Sequence, residues 1–143
     1  IVDRFETDDW LWGAPAFDDD VLYVGDLSGK LYAVRVTDEG FEQVWQQVLA
    51  DDAIRATPLV TEDMVIVGSK DKHIYAVSKS DGTNRWYAGT EGEVLTNLVY
   101  VPEVTVEDEN TVSLVVAGTS DRGNLLVAYN VENGERSWRY DDD

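Results

Sequence analysis

The sequence predicts an all-β fold, namely a partial β-propeller of three four-stranded antiparallel blades, preceded by the outer strand of a further blade. The first observation is an internal repeat, because Gly25 to Gly68 and Ala33 to Ala76 are both separated by 43 residues. The second is that each period holds short β-branched runs separated by turn residues, and the third is that no segment has helical periodicity. A period of this length is typical of one propeller blade.

Each repeat unit contains four runs of strand length. First strands are predicted at 14–17 and 57–60, ahead of the better-defined second and third strands. Those second and third strands are predicted at 21–24, 31–34, 64–67, 74–77, 114–117 and 125–129. A glycine-containing turn follows each third strand, because glycine readily takes the positive φ of a tight hairpin. The fourth strand carries a Trp, and the whole unit reads as an antiparallel meander.

Small residues and tryptophans recur at matching places in the three units. A small side chain in one strand leaves room for an indole from the next strand or the neighbouring blade, so we expect the three repeat tryptophans to lie in the core. The structural repeat residues are Gly25, Ala33, Trp45, Gly68, Ala76, Gly82, Trp86, Gly118, Ala128, Gly134 and Trp138.

The repeat sets the predicted boundaries. Residues 1–8 read as the outer strand of a preceding blade, and the blades follow at 9–50, 51–91 and 92–143. Propellers need about four to eight blades to close a ring. We therefore expect the open terminal blades to self-associate or to pair with the remaining blades of a longer propeller.

Two hairpins are predicted to be longer than their counterparts. In unit one the spacing from Ala33 to Gly40 and the spacing from Gly40 to Trp45 are each one residue longer than the corresponding spacings in units two and three. The last hairpin of unit one should therefore be extended. Unit three has 21 residues between Asn97 and Gly118, where Pro15 to Gly25 is 10 residues. That difference predicts an extended first hairpin around residues 102–110.

Charge and composition exclude several kinds of function. A net charge of -18, from 29 acidic and 11 basic residues, argues against nucleic acid as a partner. The absence of cysteine removes thiolate metal sites and thiol nucleophiles. No apolar run approaches the ~18 residues of a membrane span, so no membrane insertion is expected for this segment. His73 is the only imidazole and its neighbours are polar, so no catalytic, cofactor-binding or metal-binding residue is assigned.

The repeat motif carries a family resemblance. In units two and three an Ala is followed six residues later by Gly and four residues after that by Trp, as in Ala76, Gly82 and Trp86. This pattern resembles the repeat of the pyrroloquinoline-quinone (PQQ) type β-propellers. That family includes quinoprotein alcohol dehydrogenases and the non-enzymatic outer-membrane assembly lipoproteins of the BamB type. For the dehydrogenases the resemblance implies PQQ and calcium on the propeller axis, usually with a vicinal cysteine pair, which this chain lacks.

The candidate contact residues lie in the loops that lead from the last strand of one unit into the first strand of the next. Such loops approach the central channel, and Trp12, Arg55 and Leu95 occupy equivalent positions in them. Rim packing, with the arginine paired to an acid, is the alternative interpretation. The candidates for ligand or partner contacts are Trp10, Trp12, Arg55 and Asn97, with Ile54 and Thr96 beside them.

Three functions remain open at this stage. The first is a non-catalytic binding or scaffold module, exported to the periplasm, cell surface or extracellular space with its signal outside this segment. It would bind protein partners through its loops or by strand addition. The second is a fragment of a PQQ-dependent alcohol or sugar dehydrogenase, and only this hypothesis implies PQQ and calcium. The third is the extracellular sensor domain of a receptor or kinase.

Overall fold

A computed structural model describes residues 3–105 and 110–140, and this part of the chain forms twelve strands and no helix. Consecutive strands pair antiparallel in three four-stranded sheets, which confirms the predicted partial propeller. None of the described residues lies in a helix that could span a membrane. The strands are β1 (Ala16–Asp18), β2 (Val21–Gly25), β3 (Lys30–Thr37), β4 (Gly40–Val48), β5 (Leu59–Val60), β6 (Met64–Gly68), β7 (His73–Ser78), β8 (Asn84–Gly89), β9 (Val99–Thr105), β10 (Thr111–Gly118), β11 (Leu126–Asn130) and β12 (Arg136–Tyr140).

The hydrophobic core lies between neighbouring blades. One cluster joins blades 1 and 2 and contains Leu31 and Val65, and a second joins blades 2 and 3 and contains Ile66 and Val115. Strand β6 of the central blade is buried at every position, because blades cover both of its faces. This explains why its sequence is a continuous apolar run and does not alternate.

Tryptophans of the outer strands dock onto the following blade. Trp45 pairs with Ala33 in the ladder between β3 and β4. Its ring lies against Gly82 of blade 2, where an added Cβ would be 2.6 Å from the indole. The indole N–H of Trp45 donates to the carbonyl of Lys79 at 3.0 Å.

The same contact recurs one blade further on. Trp86 pairs with Ala76 and lies against Gly134, and its indole N–H donates to the carbonyl of Val131 at 2.8 Å. Trp45 and Trp86 are therefore only 7% and 8% exposed. Trp138 is 43% exposed, so the expectation that it lies in the core is wrong. The reason is that no blade follows blade 3 in the described chain to receive the indole.

The two predicted long hairpins are present. Strands β3 and β4 have 8 and 9 residues, whereas their counterparts β7 and β8 have 6 each. Strands β9 and β10 have 7 and 8 residues, against 2 and 5 in β5 and β6. Residues 106–109, which connect β9 to β10, lie outside the described residues.

Residues 3–8 lie against blade 1 but form no strand. The Asp3 carboxylate lies over Gly40, where an indole lies in the next two blades, and accepts a hydrogen bond from the Phe41 N–H at 2.6 Å. Phe5 packs edge-on against Tyr32, with ring centroids 5.8 Å apart. The segment therefore covers blade 1 at the place where the outer strand of one blade meets the next, and its assignment to a preceding blade stays a prediction; residues 1 and 2 lie outside the described residues.

Candidate binding site at the inner edge of the blades

The loops that connect one blade to the next lie side by side at the inner edge. In the first loop, Leu11 forms a backbone bridge with Asp26. The same loop approaches the second at Gly13, where an added Cβ would be 2.8 Å from the carbonyl oxygen of Arg55. Strands β1 and β5 are neighbours at the same edge. Only a glycine permits so close a backbone approach, so the first two loops form one continuous surface.

Trp12 and Arg55 meet on this surface. The guanidinium carbon of Arg55 lies 5.7 Å from the ring centroid of Trp12, a cation–π geometry. Trp12 is nevertheless 69% exposed, whereas Arg55 is half-buried. The structure thus brings together two of the four predicted contact residues, one from each of two blades.

Arg55 has no acidic partner within 4.0 Å among the described residues, so the alternative interpretation of an arginine paired to an acid is not found there. Its Nε atom is buried and has no hydrogen-bond partner among them. By contrast, Lys79 and Arg85 pair with carboxylates of Asp18 and Asp63. A buried donor without a partner carries a desolvation cost.

Asn97 links blades 2 and 3 at the same edge. Its side-chain oxygen accepts a hydrogen bond from the Thr57 N–H at 3.0 Å, while Asn97 and the neighbouring Thr96 remain exposed. Trp10 lies in the first loop and is 78% exposed. Its carbonyl accepts from the Leu27 N–H at 3.0 Å, but no ring contact to Trp10 is found among the described residues.

The sequence-based choice of Ile54 as a contact residue is wrong. Ile54 is completely buried because its side chain fills the space above Gly25 of the preceding blade. We define Trp10, Trp12, Arg55 and Asn97 as the inner-edge cluster. The exposed indole of Trp12 beside the Arg55 cation can bind a carboxylate together with an apolar side chain.

Sequence reasoning missed a buried polar centre next to this cluster. Asp26 and Tyr32 are both buried, and the Tyr32 hydroxyl donates to the Asp26 carboxylate at 2.9 Å. The available signal was an Asp shortly before the strand that carries a Tyr, as for Asp26 with Tyr32 and, at a different spacing, Asp71 with Tyr75. His73 begins strand β7, and its ring centroid lies 5.9 Å from that of Tyr75 and 6.3 Å from that of Tyr87.

The inner-edge cluster does not fit PQQ or calcium. Calcium takes about six to eight oxygen ligands, whereas the cluster offers one amide oxygen, which already accepts from Thr57. Over residues 3–105 and 110–140 no three His, Cys, Asp or Glu side chains are arranged to hold a metal ion. Arg55 already lies over the ring of Trp12, on which a quinone would stack.

The sequence has relatives among the outer-membrane assembly factors. A family model described as "Outer membrane protein assembly factor BamB" matches residues 4–143. BamB of Escherichia coli (strain K12) is 30% identical over 94 residues, which are 59% of this chain and 24% of that protein. BamB of Shigella dysenteriae serotype 1 (strain Sd197) gives the same values. The chain therefore spans about a quarter of the length of these relatives.

Solved structures show the same fold at lower identity. BamB from Moraxella catarrhalis matches with a TM-score of 0.71 and 22% identity, over 96% of this chain and 38% of that one. A europium-containing methanol dehydrogenase matches with a TM-score of 0.73 and 16% identity, over 94% of this chain and 25% of that one. These likenesses show the fold alone, whereas the family model covers nearly the whole chain. The chain belongs to the BamB-like family of PQQ-type β-propeller repeats.

Proposed function

We propose that this chain is part of a non-catalytic propeller of the cell envelope that binds a protein partner through the inner-edge cluster. The observation that carries the proposal is the contact between Trp12 and Arg55, in which an exposed indole and a cation from neighbouring blades form one surface. Its E. coli relative is named as an outer membrane protein assembly factor. That name supports an exported scaffold that works with other envelope proteins.

The chemistry of the cluster specifies the kind of partner. Arg55 has no acidic partner among the described residues, in a chain with a net charge of -18. A carboxylate of the partner pairs with the half-buried Arg55 guanidinium, and an aromatic or aliphatic side chain beside it covers Trp12 or Trp10. The partner is therefore an extended peptide segment with an acidic residue next to an apolar one.

A random peptide library displayed on phage tests this proposal with the full chain as the target. Selected peptides are expected to combine Asp or Glu with an aromatic or aliphatic residue. Trp12→Ala and Arg55→Ala should each weaken binding of the most enriched peptide by about 2 kcal/mol or more, the scale of an interface hot spot. Fluorescence anisotropy of the labelled peptide measures the affinities.

Arg122→Ala provides the matched control, because Arg122 is an exposed arginine outside the cluster. Its affinity should equal that of the unchanged protein, and urea unfolding should show that all variants remain folded. Equal binding by the Arg55→Ala and Arg122→Ala proteins contradicts the assigned surface. A quinone absorbance band with dye-linked alcohol oxidation, after addition of PQQ and calcium, contradicts the non-catalytic role.

A further inference from the structure

A hollow between blades 1 and 2 lies on the face opposite to the inner-edge cluster. In a four-stranded meander, the turns after the first and third strands lie at the end away from the loops that join the blades. Turns of this kind supply the rim, namely those between β1 and β2, between β5 and β6, and between β7 and β8. The hollow has a volume of about 510 Å³, and small-molecule sites have roughly 300–1,000 Å³. We call it the interblade hollow, and its principal lining residues are Asp19, Tyr23, Arg35, Glu62, Lys79 and Arg85.

A buried tyrosine hydroxyl in this hollow has no partner. Tyr23 is 2% exposed, and its hydroxyl makes no hydrogen bond to a described residue. By contrast, the hydroxyls of Tyr32 and Tyr129 each donate to an oxygen of another residue. The fully enclosed side-chain atoms that lack a partner among the described residues are Arg55 Nε and Asn124 Oδ1, so the Tyr23 oxygen is open to the hollow. Burial raises the pKa of Tyr23, so its hydroxyl keeps the proton and can donate to a ligand at neutral pH.

The repeat itself does not require polar groups at these positions. Tyr23 and Ile66 occupy the same place in successive blades, because each pairs with the Ala of the Ala–Trp pair. Lys79 and Val131 also correspond, because the carbonyl of each accepts an indole N–H. The interface between blades 2 and 3 is therefore packed with Ile and Val where the interface between blades 1 and 2 has Tyr and Lys. The Lys79 ammonium is in turn paired with the Asp18 carboxylate.

The two arginines of the hollow retain free hydrogen-bond donors. Arg35 Nη1 lies 3.9 Å from the Glu42 carboxylate, and Arg85 Nη2 lies 3.5 Å from that of Asp63. Both distances exceed the roughly 2.7–3.2 Å of a well-formed hydrogen bond. Each guanidinium carries five N–H donors, so both can donate to a bound carboxylate.

Acidic side chains lie toward the other end of the hollow. Asp19 is in the turn between β1 and β2, and Glu62 is in the turn between β5 and β6, so both lie near the inner strands. The basic groups of the hollow pair with other carboxylates, and Asp19 and Glu62 have no basic partner among the described residues. Arg35 on β3 and Arg85 on β8 lie nearer the outer strands. The hollow therefore carries opposite charges at its two ends.

We propose that the interblade hollow binds an aliphatic α-amino acid in its zwitterionic form. The guanidinium groups and the Tyr23 hydroxyl donate to its carboxylate, and its ammonium donates to Asp19 and Glu62. Val21 and Val44 also line the hollow and contact the aliphatic side chain. A simple anion would leave the acidic end unpaired, and a simple cation would leave the arginines unpaired. This site is separate from the protein-binding surface proposed above.

An NMR titration of the isotopically labelled chain with three matched probes tests the proposal. L-valine carries both charges, 3-methylbutanoate lacks the ammonium, and 2-methylpropan-1-amine lacks the carboxylate. L-valine should shift the backbone N–H signals of Tyr23 and Lys79 in a saturable way. It should bind about tenfold or more tightly than either probe with a single charge, because a hydrogen bond to a charged group is worth at least that factor.

Tyr23→Phe separates ligand binding from folding. Binding of L-valine should weaken by about tenfold, the loss of one hydrogen bond to a charged group. The urea midpoint should stay unchanged or rise, because the hydroxyl has no protein partner to lose. A lower midpoint with unchanged binding would show that the hydroxyl has a structural role and would overturn the assignment.

Two further variants test the two ends of the hollow separately. Arg35→Gln should weaken L-valine and 3-methylbutanoate by similar factors, because both probes carry the carboxylate. Glu62→Gln should weaken L-valine and leave 3-methylbutanoate unchanged. Arg122→Gln is the exposed control, and Trp12→Ala tests independence from the inner-edge cluster. Both should bind L-valine like the unchanged protein.

Three results would overturn the proposal. The first is that L-valine gives no saturable shifts in the hollow. The second is that L-valine and the two singly charged probes bind equally well, and the third is that Trp12→Ala abolishes the shifts. Failure of the peptide selection would leave these results unaffected, so the two proposals can fail independently.

Discussion

Asp26 shows how this chain keeps a charge inside a blade. Its carboxylate accepts hydrogen bonds from the N–H and hydroxyl of Ser28, from the Lys30 N–H and from the Tyr32 hydroxyl, at 2.7 to 3.1 Å. Burial by itself raises the pKa of Asp26, but these hydrogen bonds together outweigh it and lower the pKa below its ordinary value. Burial also raises the pKa of Tyr32 to about 12, so its hydroxyl remains a donor at neutral pH.

Replacing this carboxylate should change the pH dependence of stability. A group whose pKa is lowered by folding stabilises the protein above the unfolded pKa, and this contribution is lost as the pH falls through the folded pKa. Asp26→Asn should lower the free energy of unfolding at pH 7 by about 1.5–3 kcal/mol, the range for hydrogen bonds to charged groups. The gap between variant and unchanged protein should narrow below the ordinary pKa of 3.8.

Urea unfolding from pH 7 to about 2.5 measures this gap, with Asp38→Asn as an exposed control. The control should unfold like the unchanged protein at every pH. A gap for Asp26→Asn that stays constant down to the lowest pH would show that the Asp26 carboxylate contributes no pH-dependent stability.

At the scale of the strands, a bulge recurs in every blade next to the Ala–Trp pair. The ladder shifts register between Ala33 and Val34, and again between Ala76 and Val77. The third case lies immediately after Ala128. A bulge increases local twist and re-aims the neighbouring side chain. Each outer strand therefore turns its indole toward the following blade.

The indole contact between blades 2 and 3 should be measurable as stability. Trp86→Phe removes the donor to Val131 and leaves that buried carbonyl unpaired. The free energy of unfolding should fall by about 2 kcal/mol, within the range for an unsatisfied buried group. Urea unfolding followed by far-UV circular dichroism gives the value.

Trp138→Phe is the matched comparison, because it makes the same substitution where no blade follows in the described chain. Its effect should stay within about 0.5 kcal/mol, as for other surface substitutions. Similar losses at positions 86 and 138 would mean that docking onto the next blade is not what stabilises the repeat.

For the molecule as a whole, charge is the dominant global property. With 29 acidic and 11 basic residues, the surface repels itself at neutral pH. The described ion pairs are mostly exposed, as for Arg35 with Glu42 and Arg85 with Asp63, and such pairs contribute little. Interblade burial therefore supplies the stability that opposes this repulsion.

Added salt should stabilise the protein. Raising sodium chloride from 0.1 M to 1 M shortens the screening length from about 10 Å to about 3 Å. The free energy of unfolding in urea should rise by on the order of 1 kcal/mol at pH 7.5, the scale of a few exposed charge pairs. At pH 4, close to the isoelectric point of 4.1, the gain should vanish. An equal gain at both pH values would show that charge repulsion is not the cause.

The sequence by itself determined the repeat, because glycine turns and Ala–Trp pairs act within one blade and recur at a regular spacing. It therefore located the strands, the longer hairpins and the loops that meet at the inner edge. It also placed Trp12 and Arg55 in equivalent positions of successive loops, which is where the structure finds them in contact.

Only the tertiary structure decided which repeated residues are buried, because burial depends on the blade that lies next to each one. Trp86 and Trp138 occupy the same repeat position, yet one lies under a neighbouring blade and the other faces solvent. The sequence predicts Ile54 as a loop contact residue, but its side chain fills the space above Gly25. Residues 3–8 cover blade 1 and form no strand. A local pattern is the same in every copy, whereas contacts between blades differ from the middle of the array to its ends.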